Sequence, residues 1–365
     1  MPRILLKSPW IELMAMTLIM VLCFVGLAIV VGTSETPVGG MPGWTIFSWL
    51  LGFFIISTAI ALVAVIGGIG GGVLFTPFML AFTPVDSLVI RGTGLIVAMF
   101  SGLISTGPFM RSGLANMRIC VFLCVAFGIA AFGGAQGAIL VAEHLGDLGE
   151  GLVRLALGLL IACIVTYFIF GGRKIEWPDI SRSDKITELL KLRQPFYEPS
   201  LNRIVDYALH RSGLTFLGIL FVGLVSGFFG MGAGWAIVPA QNLIMGVPLK
   251  VAAANSGVLL GMGDCIAVWP YILTGAVIPL FAAPWLVGQV IGGLAGALLL
   301  IRIKAGFVRF LLIGFMSFSA WGLVTRGLSN LDLLPPVPNW LNGVVFVLIF
   351  GFVIWKIIEM SRSRE

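Results

Sequence analysis

The residues of this chain most suited to hold a ligand are two glycine clusters, GGIGGG over Gly67–Gly72 and GMGAG over Gly230–Gly234. Glycine allows backbone dihedrals and close approaches that side chains forbid. A helix that begins after such a break aims unpaired N–H groups and the positive end of its dipole at whatever lies ahead. That arrangement suits an anion, which makes Gly68, Gly70, Gly72, Gly230, Gly232 and Gly234 candidate ligand-binding positions. The competing reading is close helix packing through small-residue faces.

Small polar side chains follow each cluster. Arg91-Gly-Thr93-Gly94 in the first half corresponds to Ala253-Ala-Asn255-Ser256 in the second. Thr93, Asn255 and Ser256 can ligate oxyanion oxygens, or can serve as interhelical hydrogen-bonding groups. Arg91 either supplies a fixed positive charge to the site or lies at an interface with its stem snorkelling outward. Asp264 sits well inside the apolar run Val251–Tyr271, where an ionisable group is costly enough to signal function. It couples protons, pairs with an arginine, or packs as a protonated carboxyl. Gln136, Gln241 and Gln289 are polar candidates of lower rank.

Several chemistries are excluded. No nucleophile with a base and an orienting acid can be assembled, and no P-loop is present, so the chain reads as neither an enzyme nor a self-contained ATP-driven pump. The glycine clusters lack the strand, helix and acidic partner of a dinucleotide fingerprint. His144 and His210 have no partner arrangement suggesting catalysis. The five cysteines (Cys23, Cys120, Cys124, Cys163 and Cys265) lie in apolar runs and read as core thiols. No metal site and no cofactor are expected.

The elements that position these residues must lie in a bilayer. Hydrophobic residues make up 59% of the 365 and charged ones only 10%, where a soluble domain carries about a quarter charged. Runs long enough to span, roughly 20 residues each, recur along the chain. The net charge of +6 comes from basic residues scattered between those runs, which argues against nucleic acid and for orientation signals. The run after Arg3 and Lys7 reads as an uncleaved first helix, being long enough to span and followed by no small-residue cleavage site.

The expected fold is an all-α polytopic membrane protein of about ten spanning helices, near 11–32, 44–66, 86–107, 118–142, 151–170, 214–229, 249–271, 277–301, 306–326 and 340–358. Two short apolar pieces, Val73–Phe82 and Trp235–Met245, cross or re-enter. The basic stretch Gly171–Gly213 is assigned to the cytoplasm by its lysines and arginines, and the resulting path puts both termini there.

Adding 162 to Gly68, Gly70, Gly72 and Pro77 gives Gly230, Gly232, Gly234 and Pro239, and the same shift relates Pro108 to Pro270 and Gly113 to Gly275. This ungapped register reads as an internal duplication. Its copies cross the membrane in opposite senses, as in many secondary transporters, where short glycine-interrupted segments mark the binding site. The divisions are an extra helix and external loop (1–43), a first repeat (44–170), a charged linker (171–213), a second repeat (214–326) and a C-terminal helix with tail (327–365).

At the glycine clusters the chain resembles the sulfite exporter TauE/SafE family of membrane permeases. The residues that carry the resemblance are Gly67-Gly-Ile-Gly-Gly-Gly-Val-Leu-Phe-Thr-Pro77 and Gly227-Phe-Phe-Gly-Met-Gly-Ala-Gly-Trp-Ala-Ile-Val-Pro239, each followed by its small polar pair. The resemblance implies transport of sulfur-containing anions such as sulfite or organosulfonates, coupled to a proton or sodium gradient, in a bacterial inner membrane; a homo-oligomer is compatible with it. In the combined reading an anion is held near the midplane between the glycine-broken elements. Thr93, Asn255, Ser256 and backbone N–H groups ligate it, Arg91 supplies charge and Asp264 couples protons. A passive anion channel and a scaffold acting through the linker are the alternatives.

Overall fold

The computed structural model describes residues 43–67, 69–111, 113–170, 183–198, 203–300 and 306–362, together with Leu18, Leu22, Val25 and Ile29. Those last four are helical and exposed; the remainder of the expected helix 11–32 and Gly68 lie outside the described residues. The described elements are α1 (Gly43–Gly67), α2 (Gly72–Phe82), α3 (Ser87–Arg111), α4 (Met117–Phe170), α5 (Lys185–Leu189), β1 (Phe196–Glu198), β2 (Arg203–Val205), α6 (Ser212–Phe229), α7 (Gly234–Pro239), α8 (Leu249–Ala267), α9 (Trp269–Leu273), α10 (Pro279–Leu300), α11 (Gly306–Asn330) and α12 (Asn339–Arg362). Among the described residues, five stretches are long and apolar enough to cross a membrane: Trp44–Val65, Ser87–Ile104, Met117–Phe170, Ser212–Phe229 and Leu249–Leu273. The chain is a helical, multi-pass membrane protein, with Trp44, Trp49 and Trp340 exposed near helix ends, where the amphipathic indole suits the headgroup level.

Helix α4 is two legs, broken at Gly146 (φ 48°, ψ −127°), within the acidic stretch Glu143–Glu150 where the sequence reading ended one helix and began the next. Under the 162-residue shift, α1 ends where α6 ends, α2 begins where α7 begins, α3 matches the combined span of α8 and α9, and the start of α4 matches that of α10. The short second element continues as a π-helical turn, Ala240–Met245.

Packing follows the same exchange. Helix α10 lies along α1, and the first leg of α4 lies along α6. In each pair a glycine stripe admits the neighbour's backbone, as small residues do in membrane helices. Gly134 faces the Leu224 carbonyl, and its counterpart Gly296 faces the Leu62 carbonyl, itself the counterpart of Leu224. Gly223 meets Phe127 while Gly227 meets Ala131, so α6 and the first leg of α4 run parallel; Gly288 meets Ser57 and Gly292 meets Thr58, so α1 and α10 do too. One buried cluster gathers α1, α2, α10, α11 and the second leg of α4. A second gathers the first leg of α4, α6, α7 and α8. Helices α3 and α8 pack on each other between them.

Where it is described, the basic segment 171–213 carries local structure of its own. Strands β1 and β2 pair as a two-stranded antiparallel ribbon, Phe196 opposite Val205 and Glu198 opposite Arg203. Leu192, Phe196, Tyr207 and Leu209 are buried in the same cluster as α6 and α8. Burial pushes the Tyr207 phenol up to about 12, so it stays protonated and accepts a hydrogen bond from Asn116 Nδ2 (3.1 Å). Asp184 ties the segment to α6, its carboxylate accepting from Thr187 N (2.9 Å) at the start of α5 and from Ser212 N (2.7 Å) at the start of α6. Partial burial works against the charge of Asp184, but the hydrogen bonds from Thr187 and Ser212 outweigh it and hold the carboxyl below its usual range.

A carboxyl whose folded value is depressed stabilises above its unfolded value, and that stability is lost as pH falls through the folded value. Asp184→Ala is therefore expected to lower thermal stability in detergent at neutral pH, by about 1–2 kcal/mol for lost helix caps. The gap to wild type should close progressively below about pH 4; a gap unchanged in acid would contradict the assignment.

Candidate functional site

The two glycine turns meet at the centre of the molecule. Gly70 (φ 79°) and Gly232 (φ 73°) occupy the left-handed region, which turns the chain sharply into α2 and α7. A Cβ on Gly72 would lie 2.7 Å from the Met231 carbonyl oxygen, and one on Gly234 would collide with the Ile69 carbonyl. Ile69 and Met231 are themselves related by the shift of 162. The reciprocity extends outward, for Gly70 faces the Leu260 side chain while Gly232 faces Ala98, the counterpart of Leu260. No side chain larger than hydrogen fits where the turns cross.

The buried C-terminal end of α6 would leave carbonyls without partners. Gly230 N donates to Ser226 O (2.8 Å), Tyr271 Oη to Gly227 O (2.9 Å), and Thr76 Oγ1 to Gly230 O (2.6 Å). Arg91 is 2% exposed; its Nη1 donates to Phe228 O (3.4 Å), its Nε to Ser87 Oγ (3.1 Å), and its guanidinium lies 5.7 Å from the Phe228 ring centroid. The snorkelling alternative for Arg91 fails. The cation sits at the negative end of a helix dipole, directed at carbonyls. The far end of α2 is held likewise, by Arg154 Nε on Leu80 O (3.3 Å) and Arg326 Nη1 on Thr83 O (2.7 Å).

Asn255 is buried and its amide is engaged at both ends. Asn116 N donates to Oδ1 (2.7 Å), and Nδ2 donates to Gln241 Oε1 (2.9 Å) in the π-helical turn. Asn116 Nδ2 donates in turn to Leu192 O (2.7 Å). Asn255 therefore joins the second glycine-led element to the start of α4 and to the linker. Thr93 Oγ1, Ser256 Oγ and both oxygens of Asp264 are buried and make no hydrogen bond among the described residues. Asp264 is fully buried beside the Gly232 turn, its Oδ2 3.6 Å from where a Cβ on Gly232 would lie. Its pairing with an arginine does not occur: the ion pairs among the described residues are Arg154–Glu150 and Arg193–Asp206.

The sequence reading missed Thr76, Tyr271, Asn116 and Trp285, and ranked Gln241 and Gln289 low. Thr76 and Tyr271 stand one residue from Pro77 and Pro270 of the repeat, which is the signal available for them. Gln136 is exposed on an outer face, as is Cys163, while Cys120 and Cys124 are buried. No cluster of metal-ligating side chains occurs among the described residues. A cavity of about 510 Å³ lies beside Arg118, Phe122, Leu190 and Phe216, and one of about 310 Å³ beside Arg326 and Asn342; both are away from the glycine crossing.

If the crossing organises the fold, Gly72→Ala and Gly234→Ala should each cost about 1–3 kcal/mol or more through overpacking. They should fail to give monodisperse protein on size exclusion. Gly52→Ala and Gly218→Ala, where an added Cβ meets nothing within 4 Å, should behave as wild type.

Among proteins of known description, the chain is 24% identical over 238 residues to the "Probable membrane transporter protein YunE" of Bacillus subtilis (strain 168), an alignment covering 63% of this chain and 81% of that protein. No solved structure matches it. The pattern of the family described as "Sulfite exporter TauE/SafE" matches residues 53–323, a span that holds both glycine turns, every polar residue at their crossing and the linker between them; the chain belongs to this family of membrane transport proteins.

Proposed function

We propose that the protein is a secondary transporter of small sulfur-containing oxyanions, sulfite or organosulfonates, resident in the cell membrane with both termini cytoplasmic. Its two halves are inverted repeats. Support comes from the contact pattern: α6 runs parallel to the first leg of α4, α1 runs parallel to α10, and both α4 and α6 begin beside the linker. Helix α1 and its counterpart α6 thus enter from opposite faces, as a two-fold axis in the membrane plane requires.

The observation that carries the reading is the crossing of two glycine turns beside buried polar groups that the protein leaves without partners: Thr93, Ser256 and Asp264. A buried polar group without a hydrogen bond costs about 1–3 kcal/mol, and non-helical backbone at membrane depth is tolerated where protein shields it or it lines a path. Asp264 is the coupling residue, taking and releasing a proton at each cycle. Asn255 positions the second glycine-led element through Gln241, and frees it to move when Asn116 and the linker withdraw. Access alternates as the two packing clusters move about α3 and α8, with the linker closing the cytoplasmic side through Leu192 and Asn116.

Tracer sulfite and sulfoacetate are expected to accumulate in proteoliposomes under an inward proton gradient, and Asp264→Asn is expected to abolish the gradient dependence. Flux that only equilibrates, with or without the gradient, would make the protein a channel; absence of flux for both anions would defeat the substrate assignment. Asn255→Ala should reduce uptake at least tenfold while folding normally; wild-type uptake by that variant would remove Asn255 from the pathway.

A further inference from the structure

The first glycine turn carries a polar pair that the repeat does not duplicate. Gln289 is fully buried, and among the described residues neither its Oε1 nor its Nε2 has a hydrogen-bond partner. Its carboxamide lies against Gly71, where a Cβ would collide with Oε1 and stand 2.7 Å from Nε2. One turn earlier on the same face of α10, Trp285 is equally buried and its Nε1–H is also without a partner. The indole is fixed by two rings, with centroids 4.6 Å from Phe75 edge to face and 5.5 Å from Phe53 in a stack. Its donor therefore has a set direction.

Both side chains border the N-terminus of α2, an 11-residue helix whose Gly71 cap contributes no side-chain hydrogen bond. The Gly71 carbonyl accepts from Leu74 N and Phe75 N. The first N–H groups of the helix have no intrahelical acceptor. At the counterpart positions in the other half stand Leu123 and Phe127, both fully buried, and the Phe127 ring fills the space beside Gly263. The two halves are thus polar and apolar at one equivalent place. Arg91 is at the other glycine turn, donating to the Phe228 carbonyl of α6.

We infer that the substrate oxyanion is held at the first glycine turn alone, by Gln289 Nε2, Trp285 Nε1 and the leading N–H groups of α2, so that the binding site is single and asymmetric and its donors are uncharged. This rests on the transport reading and gives it a site. An oxyanion supplies acceptors to every donor there, and the helix dipole supplies the field that favours its charge. Uncharged donors bind the ion without the desolvation cost of a buried cation, which lets it leave toward either side. Gly71 is required so that the carboxamide can approach the helix end.

The test uses the full-length protein in proteoliposomes, with labelled sulfite as the probe, and in detergent, with sulfite-dependent thermal shift as a second readout. Gln289→Leu removes the carboxamide at similar volume. It should leave the ligand-free melting temperature unchanged or raised, abolish the sulfite-induced shift, and raise KM about tenfold or more, the effect of a lost hydrogen bond to a charged group. Trp285→Phe keeps the ring packing and should raise KM about three- to tenfold. Variants that melt lower yet keep wild-type KM and the full sulfite shift would make the pair structural and overturn the inference. Wild-type protein that moves no sulfite and shows no shift would instead defeat the transport reading, and this site with it.

Discussion

Everything in this molecule is arranged around a contact between two stretches of bare backbone. Gly72 rests on the carbonyl of Met231 and Gly234 on the carbonyl of Ile69. Irregular backbone inside a membrane must be shielded and its polar groups satisfied, and each neighbouring element meets part of that demand. Helix α1 delivers the first turn and α6 the second. Helices α3 and α8 supply the flanking small residues, and Tyr271, Thr76 and Arg91 bond the carbonyls at the end of α6. The glycine stripes of α4 and α10 let the outer helices close on α6 and α1, so the centre is tightly bounded.

That constraint explains why the fold was largely legible from the amino-acid sequence. A turn that admits only glycine leaves a mark that substitution cannot blur, and the mark occurs twice at the same spacing. The shift of 162 that aligns Gly70, Gly72 and Pro77 with Gly232, Gly234 and Pro239 also aligns helix boundaries and reciprocal contacts as distant as Gly134 with Leu224 and Gly296 with Leu62. Helices α3 and α11 run on to Arg111 and Asn330, a few residues beyond the expected ends, because backbone hydrogen bonding continues after the apolar run stops.

The side chains at the centre were less legible, since a polar residue in an apolar run shows that it is unusual without showing what it faces. Arg91 was weighed as a site charge or a snorkelling residue; it is buried, and its carbonyl partner Phe228 is reached only through tertiary contact. Asn255 looked like a ligand and is bonded to Asn116, 139 residues away, and to Gln241. Gln289 attracted little notice because its counterpart is Phe127, so the repeat that revealed the glycines hid the place where the halves differ. The linker read as a basic cytoplasmic stretch because its lysines and arginines dominate the composition. Leu192, Phe196, Tyr207 and Leu209 bury themselves among α6 and α8 all the same.

The central claim is that the crossing is reached from one side of the membrane at a time. Ser256→Cys, in a background with the native cysteines replaced, puts a thiol at a position that is 2% exposed and next to Asn255. Its reaction with a membrane-impermeant thiol reagent applied separately to each face of oriented vesicles reads that access directly. The account predicts labelling from one face, shifted to the other by adding sulfite across a proton gradient. Labelling from both faces at once, or from neither under any condition, would contradict it.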